Sequence, residues 1–446
     1  MKPLIMKFGG TSVQAPEQRR RAAERAVQAK ADGFAPVVVV SAMGRKGEPY
    51  ATDTLVGLLD QIGPRVQPRE KDLLMACGEI ISTVIMAHLI QTVGAYPTVA
   101  LTGGQAGLLT DRAFGKARIL AIDPARVERA LTEGKIPVVA GFQGTTRSAD
   151  EREHGAVTTL GRGGSDTTAS ALGAALHAAE VQIFSDVPGI MTADPSIVPQ
   201  ARTLRAITYQ EICEMAHLGA RVLHPRSAEI AMDYGIPLRV LDTMGTDDRG
   251  TLIVREPPRS REREHGVTAV ANSEVVAPLS LTVGQAADKP YIERETLIRL
   301  AHAGVSVYFV SATPQTLSFV VDKEVLETAR DALQDVHIHV QRPGRATAEY
   351  FVGPEGSRRP DAKLISLWIG SDCVVVSVIG RGLRHVPGVM ARMAEALEGA
   401  GIEILQVAGS SNALSCLVPA ERRDEAVIRL HDKFHLHLVD EDQVAV

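Results

Sequence analysis

Aromatic residues are scarce in this sequence, 4% of its 446 positions, and Trp368 is the single tryptophan. That scarcity argues against platforms on which nucleic-acid bases stack. No charge of one sign dominates either. The formal net charge is −5 at pH 7, so nothing implies a surface that would hold nucleic acid or an anionic membrane. Cysteine is rare: Cys77, Cys213, Cys373 and Cys416 are isolated, with no C-x-x-C pair. They suit buried thiols in a reducing compartment better than a disulfide framework or a zinc site. His217 and His224 have no carboxylate at ligand spacing, and no zinc is expected there. No run reaches the ~18–20 apolar residues of a membrane helix, and the chain opens on a strand pattern rather than a leader. The expectation is a cytoplasmic protein with neither nucleic acid nor membrane as partner. A Walker loop, G-x-x-x-x-G-K-[ST], is also absent.

What is present is a normal globular composition, 45% hydrophobic and 23% charged, in a chain long enough for two or three domains. Residues 1–254 alternate strand and helix patterns. Val37 to Val40 is a β-branched run with the character of a strand buried on both faces. Tyr96 to Leu101, Ile136 to Ala140, Val181 to Ser185 and Pro237 to Leu241 look similar. Pro16 suits a first helical position, and the helix it starts should run to about Asp32, before Gly33. Arg69 to Val93 is a longer helical stretch. Its apolar residues Leu73, Leu74, Cys77, Ile80, Ile81, Val84 and Ile85 cover too wide a face for a surface helix, so much of it should be buried. The fold class expected is α/β, a mainly parallel sheet sandwiched by helices. Ligands in such sheets sit beyond the carboxyl ends of the strands.

Arg255 to Glu264 holds four Arg, three Glu and two Pro, which is linker chemistry, although a solvated loop inside one domain has the same look. We place a linker at 255–266. The remainder reads as two weak repeats of an α+β, ferredoxin-like β-α-β-β-α-β unit. The first covers 267–342. The second covers 373–446 and includes a closing strand. Residues 343–372, rich in Gly, Pro and Arg, read as a linker or insertion.

Two glycine turns carry the chemistry. Lys7-Phe8-Gly9-Gly10-Thr11-Ser12 follows the apolar run Leu4-Ile5-Met6, and Gly161-Arg162-Gly163-Gly164-Ser165-Asp166 lies far downstream. Adjacent glycines admit a ligand close to the backbone, and the N–H groups that follow can cradle phosphate oxygens. A lysine beside such a turn supplies a point charge for a phosphoryl group in transfer, although a lone strand-end lysine is ordinarily just solvated.

These blocks resemble the aspartate kinases of the amino-acid kinase family, which carry a tandem pair of ACT regulatory domains. Lys7 to Ser12 matches the signature K-[FY]-G-G-[TS]-S. Ser41-Ala42-Met43-Gly44, Gly78-Glu79, Gly141-Phe142-Gln143-Gly144, Gly161 to Asp166, Ser185-Asp186-Val187 and Thr192-Ala193-Asp194-Pro195 follow in the family's order. The stretch Ser41 to Leu59 is most similar to the Gram-positive, diaminopimelate-sensitive type. The two ferredoxin-like units would then be the ACT pair.

The resemblance implies ATP and Mg2+ as cofactors and phosphorylation of L-aspartate. It implies that Lys7 bridges the β- and γ-phosphates and that Asp166 organises Lys7 and the magnesium–phosphate group; capping its own helix is the alternative for Asp166. Arg162 would grip the substrate α-carboxylate with its planar fork. Glu79 would take the ammonium, helped by hydroxyls of Thr52 and Ser165. Among apolar neighbours an unpaired Glu79 carboxylate would be costly, which favours a ligand role. Nucleotide contacts would come from Lys7, Phe8, Gly9, Gly10, Ser185, Asp186, Met191, Asp194, Arg221 and Val222. Met191 stands where the family often has tyrosine, and Arg221 where a lysine is common. No metal ligand is expected directly from the protein. The ACT pair implies an amino-acid effector (lysine, threonine or meso-diaminopimelate) and a homodimer. A kinase for glutamate or acetylglutamate, and a non-catalytic amino-acid sensor, are the rival readings.

Overall fold

The structure is a computed structural model that describes residues 2–438 apart from 64, 148–154, 220–222, 247–248, 257–265, 284–287, 341–347 and 354–362. Pro3–Phe8 forms β1, and Pro16–Ala31 forms α1. Proline at the helix start, the Gln18 side chain accepting the Ala15 N–H, and Gly33 at φ +89° after the C-cap Asp32 explain both ends of α1. Its buried face is Ala22, Ala23, Ala26 and Ala29, small enough for close packing. β2 (Ala35–Val40), α2 (Thr52–Asp60) and α3 (Pro68–Gly94) follow. Next come β3 (Thr98–Leu101), β4 (Leu108–Thr110), β5 (Ile119–Ile122), α4 (Ala125–Thr132), β6 (Ile136–Ala140), β7 (Gln143–Thr146) and β8 (Val157–Thr159). α5 (Gly164–Ala175), β9 (Glu180–Ser185), β10 (Ala206–Thr208), α6 (Tyr209–His217), α7 (Pro225–Tyr234), β11 (Leu238–Asp242) and β12 (Thr251–Val254) complete this part.

The main sheet has the order β10-β12-β11-β9-β1-β2-β6-β3, parallel at every junction except β11 with β12. Parallel strands need helical crossovers, and the chain supplies them. Phe8, Val38, Val40, Met86, Ile90 and Phe184 lie in a core shared with the alanine face of α1. A second sheet, β5-β4-β7-β8, lies beside it in the chain.

Helix α3 departs from the expectation of an apolar buried face. The buried residues are Asp72, Ala76, Gly78, Glu79, Ser82, Thr83, Met86, Ala87 and Ile90, while Leu73, Ile80, Val84 and Ile85 are exposed. Polar partners within the fold, described below for Asp72 and Glu79, decide which face turns inward. By length and composition alone α3 could cross a membrane, with a mean hydropathy of 1.9. Here it carries two buried carboxylates and packs on α1, β6 and β8.

The described chain divides into two units. Met1–Thr192 and Ala201–Arg263 build the first; Ala193–Gln200 and Glu264–Leu438 build the second. The second contains β13 (Val267–Asn272), β14 (Val276–Val283), α8 (Lys289–His302), β15 (Tyr308–Ala312), β16 (Thr316–Asp322), α9 (Leu326–Leu333) and β17 (Val336–Val340). β18 (Ala348–Gly353), β19 (Lys363–Ile369), β20 (Cys373–Gly380), α10 (Val389–Glu398), β21 (Gln406–Gly409), β22 (Ala413–Pro419) and α11 (Arg423–Lys433) follow. One sheet runs β17-β18-β19-β14-β20-β22-β21, with β13 on β20 and β16 on β14.

Two expected boundaries need correction. β13, assigned above to the first repeat, pairs antiparallel with β20 and occupies the place of the second repeat's closing strand; among the described residues no strand follows α11. Within 343–372, expected as a linker or insertion, the described stretches Ala348–Gly353 and Lys363–Ile369 are strands. These strands, β18 and β19, extend the first repeat's sheet, β19 pairing antiparallel with β14. Gly304 and Gly401, which follow α8 and α10, have φ of +74° and +65°, the left-handed conformation that ends a helix.

Candidate active site

The first turn leaves the carboxyl end of β1 in the middle of the main sheet. β9 lies beside it, and the Gly9 N–H and Ser12 Oγ both donate to the Phe184 carbonyl, at 3.3 and 3.2 Å. Thr243 Oγ1 donates to Ser12 Oγ (2.6 Å) and lies 3.0 Å from the Ser185 carbonyl oxygen. Arg25 sends its guanidinium to the carbonyls of Asp242, Thr243 and Gly245 and lies over the Phe184 ring. The ends of β1, β9 and β11 are thereby stitched together before any ligand arrives.

On the other side, the loop after β2 approaches so closely that a Cβ on Gly10 would stand 2.9 Å from the Ala42 carbonyl oxygen and 3.0 Å from that of Gly44. The Gly44 N–H donates to the Gly10 carbonyl. Phe8 is fully buried and stacked on Phe184 with ring centroids 4.6 Å apart, and its carbonyl accepts the Ser41 N–H at 3.1 Å, so its ring is part of the core.

The second turn needs glycine for its backbone. Gly161 and Gly163 have φ of +80° and +66°. α5 begins directly after them, and its first turn buries Ser165 and Asp166. Gly163 is the N-cap and Asp166 makes no capping bond to it. Instead the Asp166 carboxylate lies 2.5 Å from Lys7 Nζ, both side chains only about a tenth exposed. The two turns therefore meet. An ion pair withdrawn this far from water is costly unless each charge keeps its partner, so Lys7 and Asp166 hold each other's position.

Glu79 faces the same loop after β2. Its Oε1 accepts the Ala42 N–H at 3.1 Å, while Oε2 is buried without a hydrogen-bond partner. Burial pushes its pKa up to about 8, against the opposing pull of the Ala42 bond. A Cβ on Gly78 would meet the Ala42 side chain and the Tyr50 carbonyl, so glycine lets α3 come this close. Thr52 starts α2 and is half-buried. Arg162 is exposed, and its guanidinium makes no ion pair or hydrogen bond among the described residues.

The remaining expected residues are more scattered. Ser185 Oγ donates to Asp186, whose exposed carboxylate pairs with Arg45 at 3.1 Å. Met191 is half-buried and bridges Thr203. Asp194 accepts from the N–H and hydroxyl of Ser196, a turn-forming role. It belongs to the segment grouped with the second unit. Arg221 and Val222 lie outside the described residues.

Sequence reasoning missed Asp72. Its carboxylate is buried and accepts the N–H groups of Gly115 and Thr159 and the Thr159 hydroxyl, tying α3 to the strand that leads into the second turn. One signal was available: Asp72 and Glu79 are seven apart in an apolar helix, hence on one face. Arg25 and Thr243 carry no comparable mark in the sequence.

Lys7 at the carboxyl end of β1, partnered by Asp166 from the first turn of α5, gives this α/β fold an arrangement suited to phosphoryl transfer. The model of the amino acid kinase family matches residues 2–242, and that of the ACT domain matches residues 369–432. Aspartokinase 1 of Bacillus subtilis is 38% identical over 441 residues, covering 98% of this chain and 100% of that one. Among solved structures, aspartate kinase from Synechocystis is 27% identical with a TM-score of 0.64, covering 98% of each chain. Aspartokinase III of E. coli, in complex with aspartate and ADP, shares the fold at a TM-score of 0.74 and 23% identity, covering 97% of this chain and 99% of that one. The chain belongs to the amino acid kinase family, as an aspartokinase.

Proposed function

We propose that the protein transfers the γ-phosphoryl group of ATP to the side-chain carboxylate of L-aspartate, giving ADP and 4-phospho-L-aspartate. The observation that carries this reading is the Lys7–Asp166 contact, which brings two distant glycine turns to one place. A carboxylate oxygen of aspartate forms the new bond to phosphorus, and the bond from phosphorus to the bridging oxygen breaks, its electron pair leaving with ADP. That carboxylate is ionised at neutral pH, so no general base is needed. Catalysis is then positioning and electrostatics.

Lys7 neutralises charge on the terminal phosphates, held in place by Asp166. The main chain at Phe8, Gly9 and Gly10 admits those phosphates. Arg162, free of protein partners among the described residues, takes the substrate α-carboxylate. The unsatisfied Oε2 of Glu79 takes the ammonium, with Thr52 and Ser165 beside it. Ser185, Asp186, Met191, Asp194, Arg221 and Val222 contact the nucleotide. Mg2+ would arrive on the phosphates. The cluster of described ligand-type side chains close enough to hold an ion is His431, Asp432 and His437, in the second unit rather than at the turns. The second unit binds an end-product amino acid and pairs with a second copy, in the cytoplasm.

Release of ADP with aspartate, glutamate and N-acetylglutamate as separate acceptors tests the reading. Turnover with aspartate is expected. Turnover with N-acetylglutamate, which has no ammonium for Glu79, would overturn it.

A further inference from the structure

The segment His224 to Ser227, at the start of α7, touches the second glycine turn before, within and after its glycines. Arg226 points its guanidinium at the carbonyl of Leu160, the residue preceding Gly161, at 3.3 Å. The same group reaches the Ala117 carbonyl, 3.3 Å from each terminal nitrogen. The His224 ring fills the space beside Gly163: a Cβ built there would stand 2.2 Å from its Cγ. Ser227 Oγ donates to the Asp166 carbonyl (3.2 Å) and lies 2.8 Å from Ser170 Oγ.

The opposite side of the turn is also held. A Cβ on Gly161 would stand 3.2 Å from the Gly115 carbonyl oxygen, and the Gly115 N–H is bound by Asp72. Arg226 bonds both to that side, at the Ala117 carbonyl, and to the turn itself, at the Leu160 carbonyl.

Such a hold matters because glycine in the left-handed region has no side chain to fix its conformation. Arg162 stands between two such glycines and has no partner of its own among the described residues. Among the described residues, only the backbone of the turn sets its place.

We infer that Arg226, with His224 and Ser227, is a positioning residue for the phosphoryl-transfer site. It fixes the Gly161–Gly164 turn so that Arg162 is presented to the acid substrate and Asp166 meets Lys7. Its fork reaches two carbonyls at once, which a lysine, with one point charge, does not reproduce. Burial holds the His224 imidazole below its usual range, so it packs as a neutral ring rather than as a cation competing for Asp166. The assignment of Arg162 to the substrate carboxylate rests on the function proposed above; the fixing of the turn does not.

The test uses the full chain with Arg226→Ala and Arg226→Lys. With Arg226→Ala, kcat/KM for aspartate should fall about 10–100-fold, the scale of a small misplacement of a positioning group. The KM for ATP should rise less than the KM for aspartate, because Lys7 stays on β1 while Arg162 rides on the turn itself. Arg226→Lys should recover part of the loss, and free guanidinium should partly rescue Arg226→Ala but not the parent. In Arg162→Ala, the further change Arg226→Ala should cost clearly less than it does in the parent, since one acts in part through the other. Additive losses, or a lowered melting temperature with unchanged kcat/KM, would overturn the proposal. Amide exchange at Gly161–Asp166 supplies a readout independent of turnover: it should quicken in both Arg226 variants even if aspartate proves to be the wrong acceptor. Unchanged exchange would also overturn it.

Discussion

The two glycine turns meet through one ion pair, yet opposite constraints shape them. Gly10 has φ −57° and ψ −40°, a conformation open to any residue. What requires glycine there is crowding from outside, by the carbonyls of Ala42 and Gly44. Gly161 and Gly163 are constrained from within, by positive φ, and His224 then closes over the second of them. The difference teaches that a pair of glycines in a sequence can mark two distinct demands. The first turn can be relaxed by moving its neighbours. The second can be relaxed only by changing its own residues or the Arg226 bracket around it.

The largest expected effect comes from cutting the link between the turns. Lys7→Ala should lower kcat by about 10²–10³, roughly 3–4 kcal/mol, the scale of one preorganised electrostatic donor. It also strands Asp166 without its cation, so the loss should exceed that of Asp166→Asn, which leaves Lys7 uncompensated but still able to reach phosphate. Steady-state rates at saturating substrates measure both. Near-parental turnover in Lys7→Ala would mean that the turns meet for structural reasons alone.

Next in size is Glu79, which braces the loop that crowds the first turn. Its folded pKa of about 8 lies above the ordinary carboxylate value, so between the two the folded state holds a proton that the unfolded chain has released. Stability should therefore decline as pH rises from about 4 through about 8. Glu79→Gln cannot ionise and removes that slope, gaining on the order of a few kcal/mol over the parent at alkaline pH while losing aspartate affinity. Urea melts of both proteins at about pH 5 and about pH 9 check this. Parallel pH dependences would show that the carboxylate stays charged when folded.

Much of this architecture can be read from local signals. Pro16 and Gly33 mark the ends of α1, β-branched runs mark β2 and β6, and the glycine turns stand where strands end. The failures are of one kind: they concern which distant segment comes alongside. Apolar side chains on α3 look like its buried face, but Asp72 finds two donors on Thr159 of β8 and one on Gly115 in the turn between β4 and β5, and Glu79 one on the loop after β2, and these turn the helix over. The strand beside β20 comes from β13, before the first repeat, because edge pairing is decided in three dimensions. The Gly-, Pro- and Arg-rich segments around β18 and β19 mask their pattern. At the site, the blocks name Lys7, Glu79, Arg162 and Asp166, whereas Arg226 and Asp72 act through carbonyls and N–H groups that no residue type announces.

A third change separates inner from outer constraint. Gly163→Ala places a Cβ in the His224 ring and asks an L-residue to hold φ +66°, at a cost of about 1–2 kcal/mol from the backbone alone. It should lower the melting temperature and kcat together, because the turn that carries Arg162 must move. Thermal melts beside steady-state kinetics record both; an intact melting temperature would place the strain elsewhere.

The smallest effect on stability is expected at Gly9, where the comparison becomes sharpest. A Cβ there meets nothing closer than Lys7 Nζ at 3.5 Å, the Phe184 carbonyl oxygen at 3.7 Å and Ser12 Oγ at 4.0 Å, all ordinary contacts, and its φ is not positive. Gly9→Ala should fold with a stability within about 0.5–1 kcal/mol of the parent, since a helix- or strand-compatible alanine also restricts the unfolded chain. If glycine is needed at this place, the need comes from the phosphate that must lie against the backbone beside Lys7. The KM for ATP should then rise while the melting temperature and the KM for aspartate hold. An unchanged KM for ATP would assign the closeness of the first turn to Gly10 and its carbonyl neighbours alone, and the phosphates would have to approach from the side of Lys7 rather than across the glycine.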